Sequence, residues 1–208
     1  MLQHVPEWLG RALSGWRAGA DKVAVAAGEL GTFAAMDLAS TAFGESGRLP
    51  DRFTADGAGV SPPLHWGDPP AGTARLALLV EDADSPTAEP LVLAVVWDLQ
   101  PEAGKLAEGA IARDGSGAQP DVGRNSYGRE GWLPPDPPTG HGEHRYVFQL
   151  FALDAAAGDP GDDPGRSALL AAMAGHVLAA GVLTGTYSRG EPADVGPIGG
   201  TVGAAAPT

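Results

Sequence analysis

Arg75-Leu76-Ala77-Leu78-Leu79-Val80-Glu81-Asp82-Ala83-Asp84-Ser85-Pro86 decides the fold. Its first six residues are a near-continuous apolar run of strand length, the pattern of a central strand covered on both faces. Acidic residues follow at once and end in Ser-Pro, so the strand delivers carboxylates onto a tight turn. Leu91–Leu99 and His144–Leu153 are further runs of this kind, rich in aromatic and β-branched residues. Phe33–Leu38 and Gly185–Arg189 read as shorter strands, and His65-Trp66 as the start of one. One internal helix is expected over Ser167–Ala180, where Leu169, Leu170, Met173, Val177 and Leu178 fall at helical spacing between an N-cap Ser167 and a stop at Gly181. Long loops are expected over 44–70 and 104–142, and the second is long enough to suggest a functional role. The sum is a mainly β fold, an antiparallel core with peripheral helices.

Composition narrows the classes. Gly (31) and Pro (19) make about a quarter of the 208 residues, but 43% are hydrophobic, so these residues read as loops on a globular core. A formal charge of −13 repels phosphate backbones and anionic bilayers, which argues against a nucleic-acid partner. Without Cys there is no disulfide framework and no thiolate nucleophile. No apolar h-region and no stretch near the ~20 apolar residues of a membrane span is present, so a cytoplasmic protein is expected. Three segments follow: 1–31 as N-terminal amphipathic helix and linker, 32–189 as the domain, and 190–208 as a disordered tail.

In the first segment Val5, Trp8, Leu9, Ala12, Leu13 and Trp16 form the apolar stripe of a helix, with Pro6 suited to its first turn. With Arg11 and Arg17 nearby the stripe could serve as an interfacial anchor, but two arginines make a thin polar face in so acidic a chain. The preferred expectation is packing on its own domain or on a sister subunit in a homodimer.

Two fragments could carry chemistry. Asp82 and Asp84 share one side if strand geometry persists through them, and paired carboxylates raise one pKa; read alone, the fragment is more readily an ordinary acidic turn. The second is Pro134-Pro135-Asp136-Pro137-Pro138-Thr139-Gly140-His141-Gly142-Glu143-His144-Arg145-Tyr146, a stiff loop entering a strand. There His144 and Tyr146 face one side together and Arg145 the other, giving an imidazole and a phenol suited to holding an anion. Metal binding by His141, Glu143 and His144 with Asp82 and Asp84 is a rival, though the spacing is not that of the helical zinc motif. No G-x-S-x-G elbow and no phosphate-cradling glycine loop occurs. His176, in the expected helix, reads as a packing residue.

Taken in order, seven fragments resemble the phosphatidylethanolamine-binding protein family, specifically its bacterial Raf-kinase-inhibitor-like branch. They are Leu49–Gly57, Val60–Trp66, Asp82–Pro86, Val95–Leu99, Gly131-Trp132 leading into Pro137–Gly142, His144–Phe148, and Gly175–Leu178 with Gly185–Tyr187. The resemblance implies a β-sandwich-like core and a small surface pocket for phosphate, phosphorylethanolamine or acetate. Asp82 and Asp84 would be its carboxylates, Pro86 a rigid wall, Pro135 and Pro138 the rim, and His144 and Tyr146 its histidine and tyrosine. It implies a non-enzymatic binding protein with no cofactor and no metal, taking a small anionic ligand. The alternative is a protein-interaction module that regulates a kinase or a protease and whose pocket is degenerate. Three departures bear on this: Leu93 stands where the family usually has a pocket His, Ala83 replaces the motif's middle Pro, and Asp136 brings another acid to the proline loop.

Overall fold

The computed structural model describes residues 6–112 and 121–190. Its centre is a sheet of seven strands in the path β1 (Ala34–Ala35), β9 (Val177–Tyr187), β8 (His144–Leu153), β4 (Arg75–Asp82), β5 (Leu91–Leu99), β7 (Asp121–Val122), with β2 (Gly47–Arg48) also on β9. β1 and β2 run parallel to β9 and the other pairings are antiparallel, so the sheet is mixed. A second sheet has only two strands, β3 (Leu64–Trp66) and β6 (Gly104–Leu106). The expected mainly β fold with peripheral helices is present, but as one large mixed sheet with a small one beside it.

β4 shows why its run is apolar throughout. Leu76, Leu78 and Val80 enter a core shared with Leu64, Trp66 and Leu106 of the small sheet, while Ala77 and Leu79 enter another on the opposite face with Leu169, Leu170 and Met173. Burial of both faces removes any need for polar alternation. The second face is also covered by Ala24 and Leu30 from a run of short 3-10 turns, so residues of the first thirty are core.

The helix α2 spans Arg166–Met173, not Ser167–Ala180, and Gly165 rather than Ser167 is its N-cap. Gly175, at φ +74°, ends the helical path, and Val177 and Leu178, which continue the helical spacing, begin the eleven-residue β9. β9 therefore starts eight residues before the expected strand at Gly185. Phe33–Leu38 contributes only Ala34–Ala35 as strand. His176 lies in the helix-to-strand turn, its Nδ1 3.2 Å from a carboxylate oxygen of Asp154. The tail beyond Gly190 lies outside the described residues.

The N-terminal helix α1 is short, Glu7–Leu13, and its stripe is not buried: Trp8 and Trp16 are 70% and 60% exposed. It docks by backbone instead. Gly10 is buried, and a Cβ there would collide with the Thr139 carbonyl. Beyond it the amides of Ala18 and Gly19 donate to the carbonyls of Ser85 and Ala83, which ties this segment to the turn after β4.

Candidate functional site

Three neighbouring strands place the site at one end of the large sheet. Asp82 on β4 pairs with Tyr146 on β8 and with Leu91 on β5, and the two-residue period brings His144 beside Tyr146 and Leu93 beside Leu91. Together they line a cavity of about 230 Å3, closed by Ser85, Pro86 and Thr87 on one side and by Leu133, Pro134, Pro135, Asp136 and Pro138 on the other, with Tyr127 at its edge. The proline loop is stitched down at several points: the Leu133 amide donates to Leu93 O, the Ala55 amide to Pro135 O, and Arg189 to Pro137 O. Arg189 also pairs with Asp56 and Asp136 at 2.7 Å, which fixes the acidic residue of the rim.

Of the residues expected from sequence, Asp82, Pro86, Pro135, Pro138, His144 and Tyr146 line this cavity. Asp84 does not, and that expectation is corrected. The strand ends at Asp82, so the chain turns before Asp84 and the two carboxylates diverge. Arg145 donates to Asp84 through its backbone N–H, Nε and Nη2 at 2.7 to 2.9 Å, and Arg17 Nη1 stands 3.0 Å away. Burial raises the Asp84 carboxyl, but these donors outweigh it and hold it at about 2. Asp84 is a buried strut behind the pocket.

Asp82 and His144 form the polar side of the wall. His144 Nδ1 lies 2.8 and 3.0 Å from the Asp82 carboxylate oxygens, and the Asp84 amide donates to Asp82 Oδ1. On its other side His144 Nε2 is 2.7 Å from His141 Nδ1, and His141 Nε2 in turn faces the carbonyls of Leu13 and Trp16 at 2.9 and 3.2 Å. Gly140 and Gly142, at φ +82° and +97°, let the loop fold tightly around His141. The two histidines are thus spent on each other, and among the described residues no group of three His, Cys, Asp or Glu is arranged to hold a metal ion.

Tyr146 differs from these. It is fully buried, its ring stacks on His144 at 6.2 Å, and its hydroxyl has no hydrogen-bond partner among the described residues. Burial, with Asp82 adding negative charge, pushes its pKa well above 10, so it is a neutral donor at physiological pH. The remaining wall is apolar: Leu91, Leu93, Leu133 and the prolines. Sequence reasoning did not reach Leu91, Tyr127 and Leu133 as lining residues, nor Arg17 and His141 as supports. The Leu133 contribution depends on a loop crossing β5, and Arg17 approaches from more than a hundred positions away.

The fold is a mainly β domain with a small cavity at one end of its large sheet. The family model for phosphatidylethanolamine-binding protein matches residues 39–188, and the chain belongs to that family. It is similar to a UPF0098 protein of Methanothermobacter thermautotrophicus, 38% identical over 159 residues, covering 74% of this chain and all of the relative. It is also similar to a Mycobacterium tuberculosis protein named "Putative lipoprotein LppC", at 36% over 154 residues, 73% of this chain and 72% of the relative. Among solved structures, a Chlamydia trachomatis protein described as a phosphatidylethanolamine-binding protein homolog, CT736, aligns with TM-score 0.65 and 36% identity over 74% of this chain and 98% of its own. YbcL of E. coli aligns with the same TM-score at 27% identity, covering 74% of this chain and 99% of its own.

Proposed function

We propose that this protein binds, without chemical turnover, a small ligand whose head is a phosphate monoester or a carboxylate and whose remainder is short and organic. The buried Tyr146 hydroxyl carries this reading. A polar group enclosed without a partner costs about 1–3 kcal/mol, and an acceptor in the pocket removes that cost. The leucine and proline walls suit the ligand's organic part, and the proline loop, held in place by Arg189 and by the Leu93 and Ala55 contacts, loses little entropy on binding.

Charge sets the conditions. Arg17 and Arg145 are committed to Asp84, and Arg189 to Asp56 and Asp136, so none of these three guanidinium groups is turned to an anion in the pocket. The anion is then met by the Tyr146 hydroxyl beside the proton that His144 Nδ1 and Asp82 share across 2.8 Å, and affinity should rise as the chain's net negative charge falls with pH. A non-catalytic role is supported by His144 itself: both its ring nitrogens are engaged, leaving none to activate a nucleophile.

No helix among the described residues is long and apolar enough to cross a membrane. A cytoplasmic location is part of this proposal, and fractionation of the native cells, set against the lipoprotein name of one relative, decides it.

Titrating the full chain with phosphorylethanolamine by calorimetry at about pH 5.5 and about pH 7.5 tests the reading. Expected is saturable binding, tighter at the lower pH, that Tyr146→Phe weakens about tenfold without loss of stability. Equal binding by Tyr146→Phe, or none by the parent protein, overturns it.

A further inference from the structure

The histidine behind the pocket has been given no role by the reading above. His141 is 1% exposed and does not itself line the cavity, yet it joins the pocket histidine to the N-terminal segment. We propose that the carbonyls of Leu13 and Trp16, acting through His141, fix His144 as a donor at Nε2 and thereby keep one proton shared between His144 Nδ1 and Asp82, which makes residues 13–17 a working part of the ligand pocket. This rests on the anion-head reading of the pocket and says where the proton it requires comes from.

The argument is one of donors and acceptors. Carbonyl oxygens only accept, so the contacts at 2.9 and 3.2 Å place a proton on His141 Nε2. In the neutral ring His141 Nδ1 is then a lone pair, and the 2.7 Å contact with His144 Nε2 needs a proton on His144. Between His144 Nδ1 and the Asp82 carboxylate, 2.8 Å apart, lies one proton more, as an imidazolium–carboxylate pair or an imidazole–carboxylic acid pair. Removing that proton leaves two choices, each unfavourable: two lone pairs face each other between the histidines, or one faces the carboxylate.

The competing arrangement moves the positive charge onto His141, with its Nδ1 donating to His144. Burial opposes that first, and the Arg17 charge adds to it, Arg17 Nη2 donating to the His141 carbonyl, while the Trp16 and Leu13 carbonyls act the other way. The groups facing the chain are few. Arg17 comes from the N-terminal segment; Glu7 and Arg11 of α1 stand over Gly140; Glu143 lies beyond His141; Tyr146 and Arg145 flank His144 and Asp82 on β8; and Asp84, next to Asp82, pairs with both Arg17 and Arg145. Their charges nearly cancel, so the hydrogen-bond polarity decides. When an anionic head enters, the shared proton stays between His144 Nδ1 and Asp82 and keeps that pair neutral as a whole, so the head meets the Tyr146 hydroxyl without an uncompensated carboxylate beside it.

The test uses the full chain labelled with nitrogen-15 and two variants. His141→Leu removes the acceptor facing His144 Nε2. His141→Asn retains it, because Oδ1 takes the place of Nδ1 and the amide N–H₂ still donates to the carbonyls. Expected in the parent protein are ring-nitrogen shifts of His141 protonated only at Nε2, and of His144 protonated at Nε2. In His141→Leu, His144 should change to the Nδ1–H tautomer. Phosphorylethanolamine affinity should then fall about tenfold at about pH 7.5 and less at about pH 5.5, with Asn restoring most of it. A bare His144 Nε2 in the parent, or an unchanged His144 tautomer in His141→Leu, overturns the proposal. The tautomer readout needs no ligand, so failure of phosphorylethanolamine to bind the parent would count against the pocket reading instead.

Discussion

Asp84→Ala removes a carboxylate on which three donors of Arg145 and one of Arg17 converge in a nearly solvent-free position. The carboxyl sits at about 2 in the fold against an ordinary 3.8: burial raises it, and the Arg145 and Arg17 bonds lower it further than burial lifts it. At about 1.4 kcal/mol per pH unit the difference corresponds to about 2 kcal/mol of stability. Because the folded value lies below the unfolded one, that contribution is complete above about pH 4 and disappears as the pH falls through 2. Alanine also strips the acceptor from the buried-side Arg145 amide, so the variant should lose about 2 to 3 kcal/mol at pH 7. Asp84→Asn, which can still accept from that amide, should lose about half as much. Urea unfolding of parent and variants between about pH 2.5 and 7 reads this directly, and the gap should hold down to about pH 4 and narrow below it. Phosphorylethanolamine affinity of the folded variant should stay within about twofold of the parent, since Asp84 does not line the cavity. A loss below about 0.5 kcal/mol at pH 7, or a large loss of affinity with stability intact, would refute the assignment of Asp84 as a strut.

Leu93→His puts an imidazole into the wall where the family usually has one, and it should strengthen phosphorylethanolamine binding about tenfold near pH 5.5, where the ring is charged. The gain should vanish by about pH 8, and calorimetry across that range shows it. Gly10→Ala drives a methyl group into the Thr139 carbonyl and should lift α1 off the loop, seen as faster amide exchange at Ala18 and Gly19 while β4 and β8 stay protected.

The central strands were legible because two-sided burial leaves its mark in composition. β5 and β8 begin and end where the apolar runs do, and β4 runs two residues further, through the acidic pair Glu81 and Asp82. β9 was not legible. Its Val177 and Leu178 fit the helical spacing of α2, and its small residues Ala179, Ala180 and Gly181 carry little strand signal. Gly181 is small because the chain at Met36–Leu38 lies against it, a contact between distant segments that no local pattern records. The same division holds at the site. Asp82, His144 and Tyr146 follow from a strand's two-residue period, whereas Asp84 was misplaced because that period stops at Asp82. His141 looked like a metal ligand from its neighbours Glu143 and His144; its partners are carbonyls of α1 and the turn after it, more than 120 positions away. The exposed Trp8 and Trp16 show a different limit, a regular apolar stripe on a segment that meets its own domain through the Gly10 backbone rather than through the stripe.

The central claim is that the pocket holds an acceptor head against Tyr146. A crystal of the full chain grown with phosphorylethanolamine at about pH 5.5 tests it most directly. The account predicts the phosphate in the cavity among Asp82, His144 and Pro135, with one oxygen within hydrogen-bond distance of the Tyr146 hydroxyl. A cavity left to solvent under saturating ligand, or a phosphate seated elsewhere on the surface with Tyr146 still unpartnered, would contradict it.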